Sequence, residues 1–191
     1  MKDFIRQYIQ EAVDVKCQML ADEALLHNIE NIVNVIVTAY KSGKKVLFAG
    51  NGGSAADSQH LACELVSKFR KNRKALCAFA LTVNTSILTA VANDFEFNNI
   101  FSRQINACGA KGDVFFAIST SGSSGNIIEA VVEAKKTGLI VVALTGSAQS
   151  DLDNLCDFVI KVPSFETSVV QEAHIMIGHI ICALVEEKAG F

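Results

Sequence analysis

Four histidines occur in this chain of 191 residues, and three of them fall in segments that also carry carboxylates or carboxamides. His60 and Glu64 are spaced i, i+4, so on a helix they share one face, a turn apart. Gln171 and His179 stand eight residues apart in a second segment, with His174 between them. A glutamate beside a histidine is the usual equipment for moving a proton next to a carbonyl. The set His60, Glu64, Gln171 and His179 also offers nitrogen and oxygen donors suited to a divalent metal such as zinc. Taken one at a time, each histidine reads equally as a satisfied core or interface residue.

Two loops could hold the substrate of such chemistry. The first is Gly50-Asn51-Gly52-Gly53-Ser54, between an apolar run and a helix-like segment. Glycines allow a sharp turn and close backbone approach, and the amides opening a helix attract anions. Gly50-x-Gly52-x-x-Ala55 has the letters of a weak dinucleotide fingerprint, but no acidic residue lies between Glu64 and Asp94, where one would be needed. No lysine follows the glycines, so the Walker pattern fails too. On this loop alone a phosphate or sugar site and a plain strand-to-helix turn stand even. The second loop carries Ser119, Thr120, Ser121, Ser123 and Ser124 before another helix start. Capping a helix uses one or two hydroxyls, not five. Hydroxyls, amides and a helix dipole can cradle a phosphate monoester without a lysine. Asn93-Asp94 reads either as a helix cap or as a pair for sugar hydroxyls.

The elements that must position these residues follow from periodicity. Residues 2–41 read as two amphipathic helices, ended by Ser42-Gly43. Strands are expected at about 45–49, 75–81, 114–118, 139–144 and 158–162. Helices are expected from the glycine loop to about Phe69, at 85–93 and 97–108, from the serine loop to about Lys136, near 151–155, and from about Val169 to Glu187. Strands alternating with helices imply an α/β fold, a doubly wound five-stranded parallel sheet flanked by helices in the order 2-1-3-4-5. The sequence is read as a single domain over 1–191, with an N-terminal helical arm at 1–41 and the α/β core at 42–191.

Half of the residues are hydrophobic and the formal net charge is −3, which excludes disorder and gives no reason to expect nucleic acid or an anionic membrane as partner. No signal peptide and no apolar run of bilayer-spanning length is apparent. Cys17, Cys63, Cys77, Cys108, Cys156 and Cys182 are scattered without a CxxC, and read as buried, reduced thiols of a cytoplasmic protein.

Taken together, Gly50-Asn51-Gly52-Gly53-Ser54, His60-x-x-x-Glu64, Ala92-Asn93-Asp94, Ile118-Ser119-Thr120-Ser121-Gly122-x-Ser124 and Gln171-Glu172-x-His174 with His179 resemble the phosphoheptose isomerase family, a branch of the sugar isomerase (SIS) domain proteins. The match runs from about residue 2 to the C-terminus. The resemblance implies a homotetramer that converts sedoheptulose 7-phosphate to D-glycero-D-manno-heptose 7-phosphate, with no nucleotide cofactor. It implies that Ser119, Thr120, Ser121 and Ser124 bind the phosphate, and that Asn51, Gly52, Gly53, Ser54, Asn93 and Asp94 contact the sugar, with Glu64 and Gln171 also at the substrate. Glu64 and His179 match the acid–base pair, and His60, Glu64, Gln171 and His179 match zinc ligands proposed in some members. Lys68 stands where an arginine is expected, and Ser168 where an acidic residue is expected. Non-catalytic SIS tetramers, and isomerases of other sugar phosphates, are the alternatives; the former lack the glutamate and late histidine found here.

One geometric expectation bears on the metal. Eight residues on a regular helix span a rise of ~12 Å and a net rotation of ~80°. Gln171 and His179 therefore converge on one ion only if Gln171 precedes the regular helix, the helix end is distorted, or a neighbouring subunit supplies one ligand. His60 and Glu64 are expected to form the firm half of any site.

Overall fold

The structure is a computed structural model, described for residues 1–189. It opens with helices α1 (Lys2–Ala21) and α2 (Glu23–Lys41), separated at Asp22, whose carboxylate accepts from the Leu25 amide and caps α2. The core then runs β1 (Val46–Gly50), α3 (Gly53–Val66), β2 (Ala78–Ala80), α4 (Thr85–Asp94), a 3-10 turn (Phe97–Asn99), α5 (Ser102–Cys108), β3 (Val114–Ile118), α6 (Gly125–Thr137), β4 (Ile140–Thr145), α7 (Leu152–Leu155), β5 (Phe158–Lys161) and α8 (Thr167–Ala189). All five strands are parallel, in the order β2-β1-β3-β4-β5, as the alternation of strands and helices implies.

Alternation along each strand sends side chains to two cores. Val46, Phe48, Phe116, Val142 and Leu144 face α2, α3 and α8. Leu47, Ala49, Phe115, Ala117 and Val141 face α5 and α6. Sites in such sheets form beyond the strand C-termini, where the chain order reverses. Here β1 and β3 are neighbours at that reversal, in register through Gly50 and Ile118, so the glycine and serine loops emerge side by side.

Several expectations are corrected. β2 holds three residues rather than seven, because it is an edge strand paired only to β1. The expected helix 97–108 is broken into a 3-10 turn and α5. α3 stops at Val66, three residues short of Phe69, and Glu186 takes the next amides. α8 contains a stretch, Thr167–Lys188, long and apolar enough to cross a bilayer, against the expectation that none exists. Half of it is buried, with Val170, Ala173, Ile177, Ile181 and Val185 in the core, which accounts for its composition. Cys17, Cys63, Cys77 and Cys108 are exposed rather than buried, Cys156 is half-buried and only Cys182 is in the core; all six are free thiols.

Candidate active site

The glycine loop is built for close approach. Gly52 lies at a φ of 54°, a region that disfavours side chains, and turns the chain into α3. A Cβ on Gly53 would stand 3.2 Å from Gln171 Cγ, so the absence of a side chain there lets α8 reach the loop. Ser54 is buried, with its carbonyl accepting from the Ser58 hydroxyl. Asn51 exchanges two hydrogen bonds of 2.9 Å with Asn126, its amide donating to Asn126 Oδ1 and its oxygen accepting from Asn126 Nδ2. This reciprocal pair ties the glycine loop to the first turn of α6.

The serine loop turns at Ser119–Gly122, where the Gly122 amide donates to the Ser119 carbonyl. Ser119 Oγ and Ser124 Oγ are 3.1 Å apart. Ser121 Oγ accepts from both the amide and the hydroxyl of Ser123. Ser124 occupies the N-cap position of α6, yet its side chain makes no capping bond. The hydroxyls bond within the loop rather than to the helix end, which argues against helix capping as their reason for being there. Thr120 is half-buried, and its carbonyl accepts from the Gly146 amide at the end of β4.

α3 and α8 run side by side in the same direction, and they bring the titratable residues together. A Cβ on Gly178 would fall 2.6 Å from Leu61 Cδ1, so this glycine permits the close approach. The next residue, His179, then reaches His60, with the two Nε2 atoms 2.9 Å apart and the rings edge to face. His60 Nε2 lies 3.4 Å from Glu64 Oε1, whose carboxylate is largely shielded from solvent. His60, Glu64 and His179 thus converge.

Gln171 is placed one station earlier. It lies inside regular α8, so neither an early position nor a distorted helix end brings it to His179. Its Nε2 donates instead to Asp57 Oδ1 at 2.6 Å. Asp57 was not among the residues singled out from the sequence. It is 4 % exposed and its Oδ2 has no hydrogen-bond partner in the protein. Burial pushes its carboxyl up to about 6, against the opposing pull of the Gln171 bond and the His60 charge. The signal available in the sequence was its spacing, three residues before His60 and so on the same helix face. His174 is fully buried; its Nε2 meets the Thr145 carbonyl at 3.2 Å, and burial lowers it to about 4 despite that bond. It is a neutral core histidine. Asn93 and Asp94 end α4, exposed and hydrogen-bonded to each other at 2.9 Å.

The donor chemistry suits zinc better than the present geometry does. Among the described residues no group of three or more His, Cys, Asp or Glu side chains stands in ligating position. The His60–Glu64–His179 group brings three such donors into contact without meeting that arrangement. Ligand atoms of a tetrahedral zinc stand ~3.4 Å apart, given bonds of about 2.0–2.2 Å. The His60–Glu64 spacing matches that value, and the two imidazoles, now in hydrogen-bonding contact, would have to part by about half an ångström.

The chain matches the SIS domain family over residues 7–146, a span that takes in both loops and the His60–Glu64 pair but stops before α8. Full-length relatives cover the remainder. The phosphoheptose isomerase of Aneurinibacillus thermoaerophilus is 53 % identical over 187 residues, 98 % of this chain and 94 % of that protein. The phosphoheptose isomerase of Clostridium acetobutylicum is 52 % identical, covering 98 % and 96 %. Among solved structures, a phosphoheptose isomerase from Francisella tularensis superposes with a TM-score of 0.93 at 35 % identity, covering 97 % of this chain and 98 % of that one.

Proposed function

This chain belongs to the phosphoheptose isomerase family of SIS-domain proteins, and from that premise we propose that it interconverts sedoheptulose 7-phosphate and D-glycero-D-manno-heptose 7-phosphate. The product supplies the heptose of lipopolysaccharide or capsule, and the enzyme acts in the cytoplasm as a homotetramer. The observation that carries the reaction is the meeting of Glu64 and His179 around His60.

The phosphate is held by the hydroxyls of Ser119, Thr120, Ser121 and Ser124 with the N-terminal amides of α6. Asn51, Gly52, Gly53, Ser54, Asn93, Asp94 and Gln171 line the path of the sugar. Glu64 takes a proton from C1 of the ketose, whose C2 carbonyl becomes the second hydroxyl of a cis-enediol. Return of the proton at C2, with loss of the C1 hydroxyl proton, leaves the aldose. His179 moves protons between the two oxygens while His60 orients Glu64. His60, Glu64 and His179 would hold a zinc ion, with Gln171 completing the set only by leaving Asp57. Such an ion would polarise the sugar oxygens as a Lewis acid.

The tetramer reading is supported by apolar residues left outside the monomer's core. Phe4, Ile5, Tyr8, Ile9 and Val13 are exposed on α1, and α4 buries none of its residues. A closed oligomer would cover both.

Glu64→Gln is the direct test. It keeps the shape and loses the base, so turnover of sedoheptulose 7-phosphate should fall ~10²–10⁴-fold while substrate still binds. Near-normal turnover would show that Glu64 is not the base. A wild-type protein inactive on this ketose but active on a ketohexose 6-phosphate would reassign the substrate.

A further inference from the structure

A buried ion pair outside the substrate loops touches the backbone of one member of the acid–base pair and reaches the other through an aromatic ring. Past Val66 the chain has no regular structure until Ala78. Within that stretch three successive amides, of Phe69, Arg70 and Lys71, donate to the carboxylate of Glu186 at 2.8, 2.7 and 3.1 Å. The side chain of Glu186 is 1 % exposed and that of Arg73, whose Nε lies 3.0 Å from it, is 2 % exposed. A buried carboxylate persists only when it is fully paired. Burial raises Glu186, but the three amides and Arg73 outweigh it and hold the carboxyl below its ordinary range.

Arg73 carries the connection to α3. Its Nη2 donates to the carbonyl of Glu64 at 2.8 Å and its Nη1 to that of Leu65 at 2.7 Å. These are among the last carbonyls of α3, which lack partners inside the helix. Glu186 carries the connection to α8, seven residues and two turns beyond His179 on the same face. What the loop delivers is Phe69. Its ring lies 5.3 Å from that of His179 and within 14° of parallel. His179 therefore has a flat ring against one face and His60 at its edge, 5.1 Å away and 76° inclined. An imidazole free to turn about its last side-chain bond presents Nε2 in many directions, and these two contacts leave one.

We propose that Phe69 is a positioning residue for His179, and that the buried Glu186–Arg73 pair is the latch that holds Phe69 in place. The inference rests on the reading of His179 as the group that moves protons. A purely structural ion pair would explain the buried charges, but it requires neither that the loop end on the face of His179 nor that the arginine bond to Glu64.

The test compares Phe69→Ala, Phe69→Leu and Phe69→Tyr with His179→Gln in one assay of sedoheptulose 7-phosphate turnover, with melting temperatures alongside. A misplacement of order 1 Å in a catalytic group can cost ~10²-fold. Phe69→Ala and Phe69→Leu should lower kcat by about tenfold to a hundredfold with KM within about twofold of wild type. Phe69→Tyr, which keeps the flat ring, should restore kcat. Leucine keeps the packing, so its loss of kcat without a matching loss of melting temperature separates positioning from folding. If His179→Gln is inactive while Phe69→Ala and Phe69→Leu keep wild-type kcat, the inference is overturned and the reading of the site stands. If His179→Gln turns over normally, the reading of the site fails and takes the inference with it. Glu186→Gln should lower kcat in the same direction by less; wild-type kcat in that variant would remove the latch and leave Phe69 in its role.

Discussion

Asp57 offers the sharpest stability test, because its environment works against it. The carboxyl is buried beside Gln171, one oxygen has no partner, and it is pushed up to about 6 from an ordinary 3.8. A raised acid means the folded state holds the proton more tightly than the unfolded chain does. Below the ordinary value both states are protonated and nothing is lost. Between about 4 and 6 the unfolded chain ionises first, so stability falls as pH rises, and above about 6 the loss is complete. Two pH units correspond to ~3 kcal/mol at most, at 1.36 kcal/mol each. Asp57→Asn keeps an oxygen to accept from Gln171 Nε2 and removes the charge. At pH 4 the variant and wild type should melt together. At pH 8 the variant should be more stable by up to ~3 kcal/mol, or roughly 6–12 °C at the 2–4 °C per kcal/mol expected for a chain of this size. Thermal unfolding of both proteins from pH 4 to 8, read as the difference between them, cancels every other titrating group. A difference that stays flat with pH, or an asparagine variant that melts lower at pH 8, would refute the reasoning. Stability forgone at a buried carboxylate beside a proposed sugar contact is the pattern expected where a site, rather than the fold, requires the group.

Three further outcomes follow from the geometry. Replacing Ser119 and Ser124 together by alanine removes both halves of a hydrogen bond and no helix cap, so stability should change by less than ~1 kcal/mol, while KM for the sugar phosphate rises strongly; early melting with an unchanged KM would instead mark the serines as structural. Gly178→Ala puts a Cβ 2.6 Å from Leu61 Cδ1, and Leu61 is 1 % exposed with nowhere to move, so overpacking should cost ~1–3 kcal/mol and kcat should fall as α8 leaves α3. Elemental analysis of protein purified without chelator should find zinc at partial occupancy, and dialysis against chelator should lower activity, with zinc restoring it; full activity without zinc would leave Glu64 and His179 as a metal-free pair.

Much of the fold was legible because it is written in local periods. The five strands and their order follow from apolar runs separated by helical segments, and β3 falls on the expected residues. The misjudged ends have non-local causes. Nothing near residue 67 announces that α3 must stop, since the carboxylate that claims the amides of residues 69–71 lies more than a hundred residues away. The thiols were misread for a related reason. Apolar neighbours in sequence put Cys63 and Cys77 in apolar runs, but Cys63 sits on an outward face of α3 and Cys77 lies exposed in the irregular stretch just before β2. Within the candidate site, the two loops stood out by composition, the hydroxyl run because a helix cap uses only one or two of its five members. Asp57, Phe69, Asn126 and Glu186 were not, because each acquires its meaning from a partner in another element.

Gln171 and His179 show how a correct local argument can be answered by tertiary structure. A straight helix cannot bring two side chains eight residues apart to one point, and α8 does not. It lies instead along α3, which offers two stations in the same direction. Asp57 meets Gln171, and one turn on His60, itself 3.4 Å from Glu64, meets His179. The parallel run of the two helices turns an obstacle to a single four-ligand centre into two polar contacts, one beside the glycine loop and one among His60, Glu64 and His179. Any ion that drew Gln171 to His179 would have to break the 2.6 Å bond to Asp57 and leave both oxygens of that carboxylate unpaired in the protein. Were a metal to bind there, its occupancy and the protonation of Asp57 would be linked, since a protonated Asp57 would lower the cost of releasing Gln171.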